Sequence, residues 1–147
     1  MSVTDRIEKH TLLRAPRSKV WRALTDAEQF GTWFGAKLDA PFEVGKRVGG
    51  RITTPGYEHL KMDLLIERIE PESLFSFRWH PGEDAPQDDE PLTLVEFRLE
   101  DADGGTRLTV VESGFDALPP ARREQAFRSN EGGWTEQLKN IERHVAS

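Results

Sequence analysis

The chain has 147 residues, 26 acidic against 20 basic, a net charge of −6 and no cysteine. Residues 1–147 suit one domain with a core that needs neither disulfide nor metal, and the missing thiols exclude disulfide frameworks, thiolate metal ligands and cysteine nucleophiles. The acidic balance repels a phosphate backbone unless basic residues gather on one face, and no such gathering is found, so nucleic acid is not an expected partner.

The N-terminus carries charge from Asp5 onward and has no apolar leader core, and no stretch approaches the roughly 18 apolar residues that a membrane span requires. A cytoplasmic protein without membrane insertion is expected. Pro16 then suits a first helical turn, and Val20, Trp21 and Leu24 recur at helical spacing. Thr25 and Asp26 can cap a second short helix, which brings Phe30, Trp33 and Phe34 to one side before Gly35 stops it.

From about residue 36 to 113 the apolar period changes to two, broken by Gly, Pro and Asp as in an antiparallel meander. The clearest hairpin turns at Glu70-Pro71-Glu72-Ser73, with Pro71 in the second position of a type I turn. Closing it there sets Ile66 opposite Phe77 and Leu64 opposite Trp79, so that Met62, Leu64, Ile66, Phe75, Phe77 and Trp79 share one face. A second hairpin, closed as a loop over Asp101-Ala102-Asp103-Gly104, sets Phe97 opposite Leu108 and Val95 opposite Val110. One face is therefore apolar and the other wet, with Leu65 and Ile69 as exceptions that point outward.

Beyond Gly114 a long helix begins near Leu118, and Trp134, Leu138, Ile141 and Val145 recur along one stripe of it. Gly132 and Gly133 inside this helix predict a kink or a close approach to the sheet. The fold class is α+β: a curved antiparallel sheet around a long C-terminal helix, with two short helices near the N-terminus.

Several short signatures occur in order: Val20-Trp21-Arg22-Ala23-Leu24-Thr25-Asp26, Trp33-Phe34-Gly35, the Glu70-Pro71-Glu72 turn, Gly105-Thr106-Arg107-Leu108-Thr109, Ser113-Gly114-Phe115 and Gly132-Gly133-Trp134. In this order and spacing the chain resembles the START-like (SRPBCC) superfamily, and within it the branch similar to activators of the heat-shock protein 90 ATPase. The resemblance runs over nearly the whole chain. It implies a helix-grip fold with a cavity between sheet and helix, used by relatives for lipids, hormones, polyketides or chaperone contacts; fold carries over in such families more readily than function.

The chemistry-bearing residues form no catalytic pattern. His10, His59, His80 and His144 show no metal-ligand spacing, so no metal and no cofactor is expected. No serine lies in a Gly-flanked nucleophile elbow. Gly45, Gly49 and Gly50 lack the P-loop order and suit a bend or bulge in a strand. The acidic stretch 82–90 lacks the full calcium-loop spacing and suits a solvated loop. His80 falls opposite Asp63 on the outer face, as a surface pair.

What stands out is the aromatic set. Trp33, Met62, Leu64, Phe75, Phe77, Trp79, Phe97, Phe127, Trp134 and Leu138 all project inward under this fold and are the candidate lining of a ligand pocket. Trp79 and Trp134 bring indole N–H groups that suit a ligand oxygen, with Asn130 and Gln137 as further polar contacts. The expected function is non-catalytic binding of a small apolar or aromatic ligand. Two alternatives remain: a polyketide cyclase or hydrolase using Tyr57, His59 and Glu67, which fall in phase with the outer face, and an interaction module or homodimer built on Leu65 and Ile69.

Overall fold

The computed structural model describes residues 6–80 and 92–146, so the acidic stretch 82–90 lies outside the described residues. Two short helices, α1 (Arg17–Thr25) and α2 (Ala27–Phe34), meet at Asp26. Its Oδ1 accepts from the backbone N–H of Glu28 at 2.9 Å and of Gln29 at 3.3 Å, satisfying donors that the first turn of α2 would otherwise leave open. Gly35, at φ 89°, ends α2 in the left-handed conformation that a side chain would resist.

Seven strands follow or flank this pair: β1 (Arg6–Leu13), β2 (Ala36–Leu38), β3 (Arg47–Ile52), β4 (Lys61–Glu70), β5 (Leu74–Trp79), β6 (Thr93–Ala102) and β7 (Gly105–Ser113). They form one antiparallel sheet in the order β1-β7-β6-β5-β4-β3-β2, open at both edges. After a 3-10 turn at Phe115–Ala117, the 26-residue helix α3 (Pro120–Val145) crosses the apolar face and buries Ala126, Trp134, Leu138, Ile141 and Val145. The stripe read from the sequence is therefore the buried one, and the architecture is the expected α+β helix-grip arrangement.

Four details depart from the sequence reading. β1 is an edge strand paired with β7 from Arg6↔Ser113 to Leu13↔Thr106; its alternation is blurred because Lys9 and Thr11 stand where apolar residues would mark the inner face. The β4–β5 hairpin keeps Ile66 opposite Phe77 but sets Glu70 opposite Leu74, with a bulge between Ile66 and Arg68. Glu67 is the extra residue, and past it the phase inverts, so Ile69 faces Phe75 and packs against the core instead of pointing outward. Glu72, at φ 56°, occupies the left-handed region that a type II turn requires at its third position and a type I turn forbids.

The β6–β7 hairpin closes more tightly than expected, with Ala102 opposite Gly105 and only Asp103-Gly104 between them, so Phe97 lies opposite Val110 and Leu99 opposite Leu108. A slip of two residues leaves each side chain on its predicted face. Gly132 and Gly133 lie within a continuous helix, and a Cβ at either meets nothing within 4 Å. They mark open space, not a close approach to the sheet.

Candidate functional site

The interior beneath α3 is filled by an aromatic cluster. Phe75, Phe77 and Phe97 are at most 1% exposed, and their rings lie 5.8 to 6.2 Å apart. Burying each stabilises the fold by roughly 1.5–3 kcal/mol, reason enough for their presence. Met62 and Leu64 are buried in the same cluster. Trp33 joins it and donates its indole N–H to the Ala23 carbonyl at 2.7 Å, pinning α2 to α1. Phe127 packs edge-on to Phe115, and Leu138 borders a groove of about 400 Å³ between β1 and α3.

Two of the ten candidates, Trp79 and Trp134, line a cleft where α3 passes over the ends of α2 and β5. Its volume is about 160 Å³, and Phe34, Ser129, Asn130, Gly133 and Gln137 complete the wall. The two indoles stack at 5.7 Å and 28°, and Phe34 stands across both at 6.0 and 6.3 Å. Gln137 Nε2 donates to the Phe34 carbonyl at 2.9 Å, fixing the helix end that presents this ring. Asn130 and Gln137 thus come to the same place as the two tryptophans.

Behind the wall lies Glu112. On β7 the inward phase runs through Thr106, Leu108 and Val110 to Glu112, which faces Val95 and is fully buried. Its Oε1 accepts from Trp134 Nε1 at 2.8 Å, and its Oε2 from Trp79 Nε1 at 2.8 Å and Thr93 Oγ1 at 2.5 Å. Asn130 Nδ2 donates to both oxygens at 2.9 Å. The indole N–H groups are therefore spent on this carboxylate and not held for a ligand oxygen. Glu112 escaped the sequence reading because an acid at the end of a strand reads as surface; the signal that finds it is its phase with Leu108 and Val110.

Residues offered for catalysis do not converge. Tyr57 and His59 are exposed on the loop between β3 and β4, and Glu67 Oε2 accepts from Arg78 Nε at 2.5 Å. Asp63 pairs with Arg47 of the neighbouring strand at 2.8 Å in place of the expected His80, and the hydrogen bond and charge of that carboxylate raise the Arg47 guanidinium above its ordinary value. A larger groove of about 960 Å³ opens on the far side of α2, among Asp26, Glu28, Lys37 and Asp39. Among the described residues no three His, Asp or Glu side chains gather as a metal site, and no helix is long and apolar enough to cross a membrane.

The fold has many solved counterparts. Protein MLL2253 from Mesorhizobium loti superposes with a TM-score of 0.77 at 25% identity, over 96% of each chain. DynU16, a protein in the dynemicin biosynthetic locus, gives 0.72 at 23%, over 97% of this chain and 48% of that one. The Aha1 dimer from Colwellia psychrerythraea gives 0.72 at 14%, over 95% of each chain. No curated protein matches the chain. At sequence level residues 14–146 match the family described as Activator of Hsp90 ATPase homolog 1-like protein, a span that takes in both short helices, the Glu112 strand and α3. With fold and sequence in agreement, the chain belongs to the Activator of Hsp90 ATPase homolog 1-like family.

Proposed function

We propose that this protein binds a small, partly aromatic molecule in the cleft beside α3 and performs no chemistry on it. The observation that carries the reading is the cleft itself: three aromatic rings form one wall, and Gly133 on the helix leaves open volume beside them. Apolar cavities of about 150 Å³ take up benzene, so roughly 160 Å³ suits a benzene-sized group. Drug-sized ligands need about 300 Å³ or more, so a lipid or polyketide requires α3 to move outward. Membership of a family of ligand-binding or interaction domains supports the reading in general terms.

The test is a titration with benzene-sized probes, followed by tryptophan fluorescence and calorimetry. Saturable one-to-one binding is expected in the native protein and its loss in Gly133→Val, where the added side chain enters open space. If no probe saturates the native protein, the reading is wrong. Self-association is a second reading, favoured by the solved dimer of the Colwellia relative. The outer-face motive for it shrinks to Leu65, since Ile69 packs inward. Light scattering across a concentration series distinguishes monomer from dimer.

A further inference from the structure

Resting on that reading, we infer that the cleft selects a small organic cation, an aromatic or aliphatic ammonium group, because the Glu112 carboxylate lies directly behind its aromatic wall. Two of the four Glu112 partners, the indole N–H groups, can only donate, and the Asn130 amide turns its NH2 to both oxygens, so the carboxylate serves all three as an acceptor. All four are neutral. Among the described residues no Lys, Arg or His pairs with Glu112, and the stretches 1–5 and 81–91 contain none of these residues. The fully buried carboxylate thus has its hydrogen bonds made by neutral groups alone, with no cation beside it.

Position turns this into selectivity. Trp79, Asn130 and Trp134 each line the cleft and each bond Glu112, so the charge sits one side chain behind the surface that a ligand touches. In a low-dielectric interior its field reaches into the cleft, attracting a cation and repelling an anion of equal size. The indoles act in the same direction. Donating to a carboxylate leaves more electron density on the ring, and the faces of Trp, Tyr and Phe attract cations within about 6 Å of the ring centre. The net charge of −6 adds a long-range bias of the same sign.

The experiment compares three probes of nearly one shape at neutral pH: benzylammonium, benzyl alcohol and benzoate. Calorimetry on the native protein is expected to give affinities in that order, with the cation at least about ten-fold tighter than the alcohol and benzoate unbound. Benzyl alcohol binding as tightly as benzylammonium overturns the inference and leaves the ligand-binding reading standing, whereas failure of all three overturns both. In Glu112→Gln, provided circular dichroism shows it folded, the cation-to-alcohol ratio is expected to fall to about one; a retained ratio overturns the role of Glu112. Should that variant not fold, the native charge series decides alone, and Gly133→Val, which leaves Glu112 intact, is expected to abolish binding of both cation and alcohol.

Discussion

Glu112 is the one charged side chain among the described residues that is fully buried, and what it holds is more than its own strand. Its acceptors join the end of β5 through Trp79, the start of β6 through Thr93, and α3 through Asn130 and Trp134. Truncation in Glu112→Ala strands these donors away from water, and a loss of about 3–5 kcal/mol in urea denaturation is expected. A loss under about 1 kcal/mol would mean that water replaces the carboxylate and that the cluster is less dry than its burial implies. Trp33 supplies the contrast. Trp33→Phe keeps a ring in the core but removes the bond to the Ala23 carbonyl, for an expected cost of about 1 kcal/mol and no change in probe affinity, since Trp33 lies outside the cleft.

At the scale of elements, α3 and the β4–β5 hairpin carry the sharpest expectations. In Gly133→Ala a methyl group enters open space on a helix, which favours Ala over Gly by about 1 kcal/mol. The melting temperature is expected to rise by about 2–4 °C while probe affinity falls, so stability and binding move in opposite directions at one residue. Deleting Glu67 removes the bulge yet leaves Ile66 opposite Phe77, Arg68 opposite Ser76 and Ile69 opposite Phe75, so each side chain keeps its face; cooperative unfolding by circular dichroism is expected to be retained. These elements also mark what the sequence makes legible. The α3 stripe, the Asp26 cap and the face of each central strand follow from period and local chemistry. The bulge does not, because one extra residue has no composition of its own: Glu67 reads as an ordinary outward residue until the phase of Ile69 against Phe75 is seen. The cleft was legible only in part. Trp79 and Trp134 were readable as inward aromatics, yet so were Phe75, Phe77 and Phe97, and only three-dimensional packing separates rings that border open space from rings that fill it.

For the whole molecule the relevant quantity is the charge of −6 set against one unpaired interior carboxylate. Screening shortens the electrostatic reach from about 30 Å at 0.01 M salt to about 8 Å at 0.15 M. The association rate of benzylammonium is therefore expected to drop several-fold over that range in stopped-flow fluorescence, with a smaller effect on dissociation, since the buried charge is little screened. An association rate independent of salt would remove the long-range contribution and leave only the local one. The Glu112 cluster has a further consequence in time. Its donors Trp79 and Thr93 lie on the sheet, whereas Asn130 and Trp134 arrive only when α3 docks. Before docking the carboxylate is open to solvent; afterwards it is fully buried. The Trp134 indole proton is thus a built-in gauge, and its exchange with deuterated solvent counts the moments at which the helix lifts from the sheet.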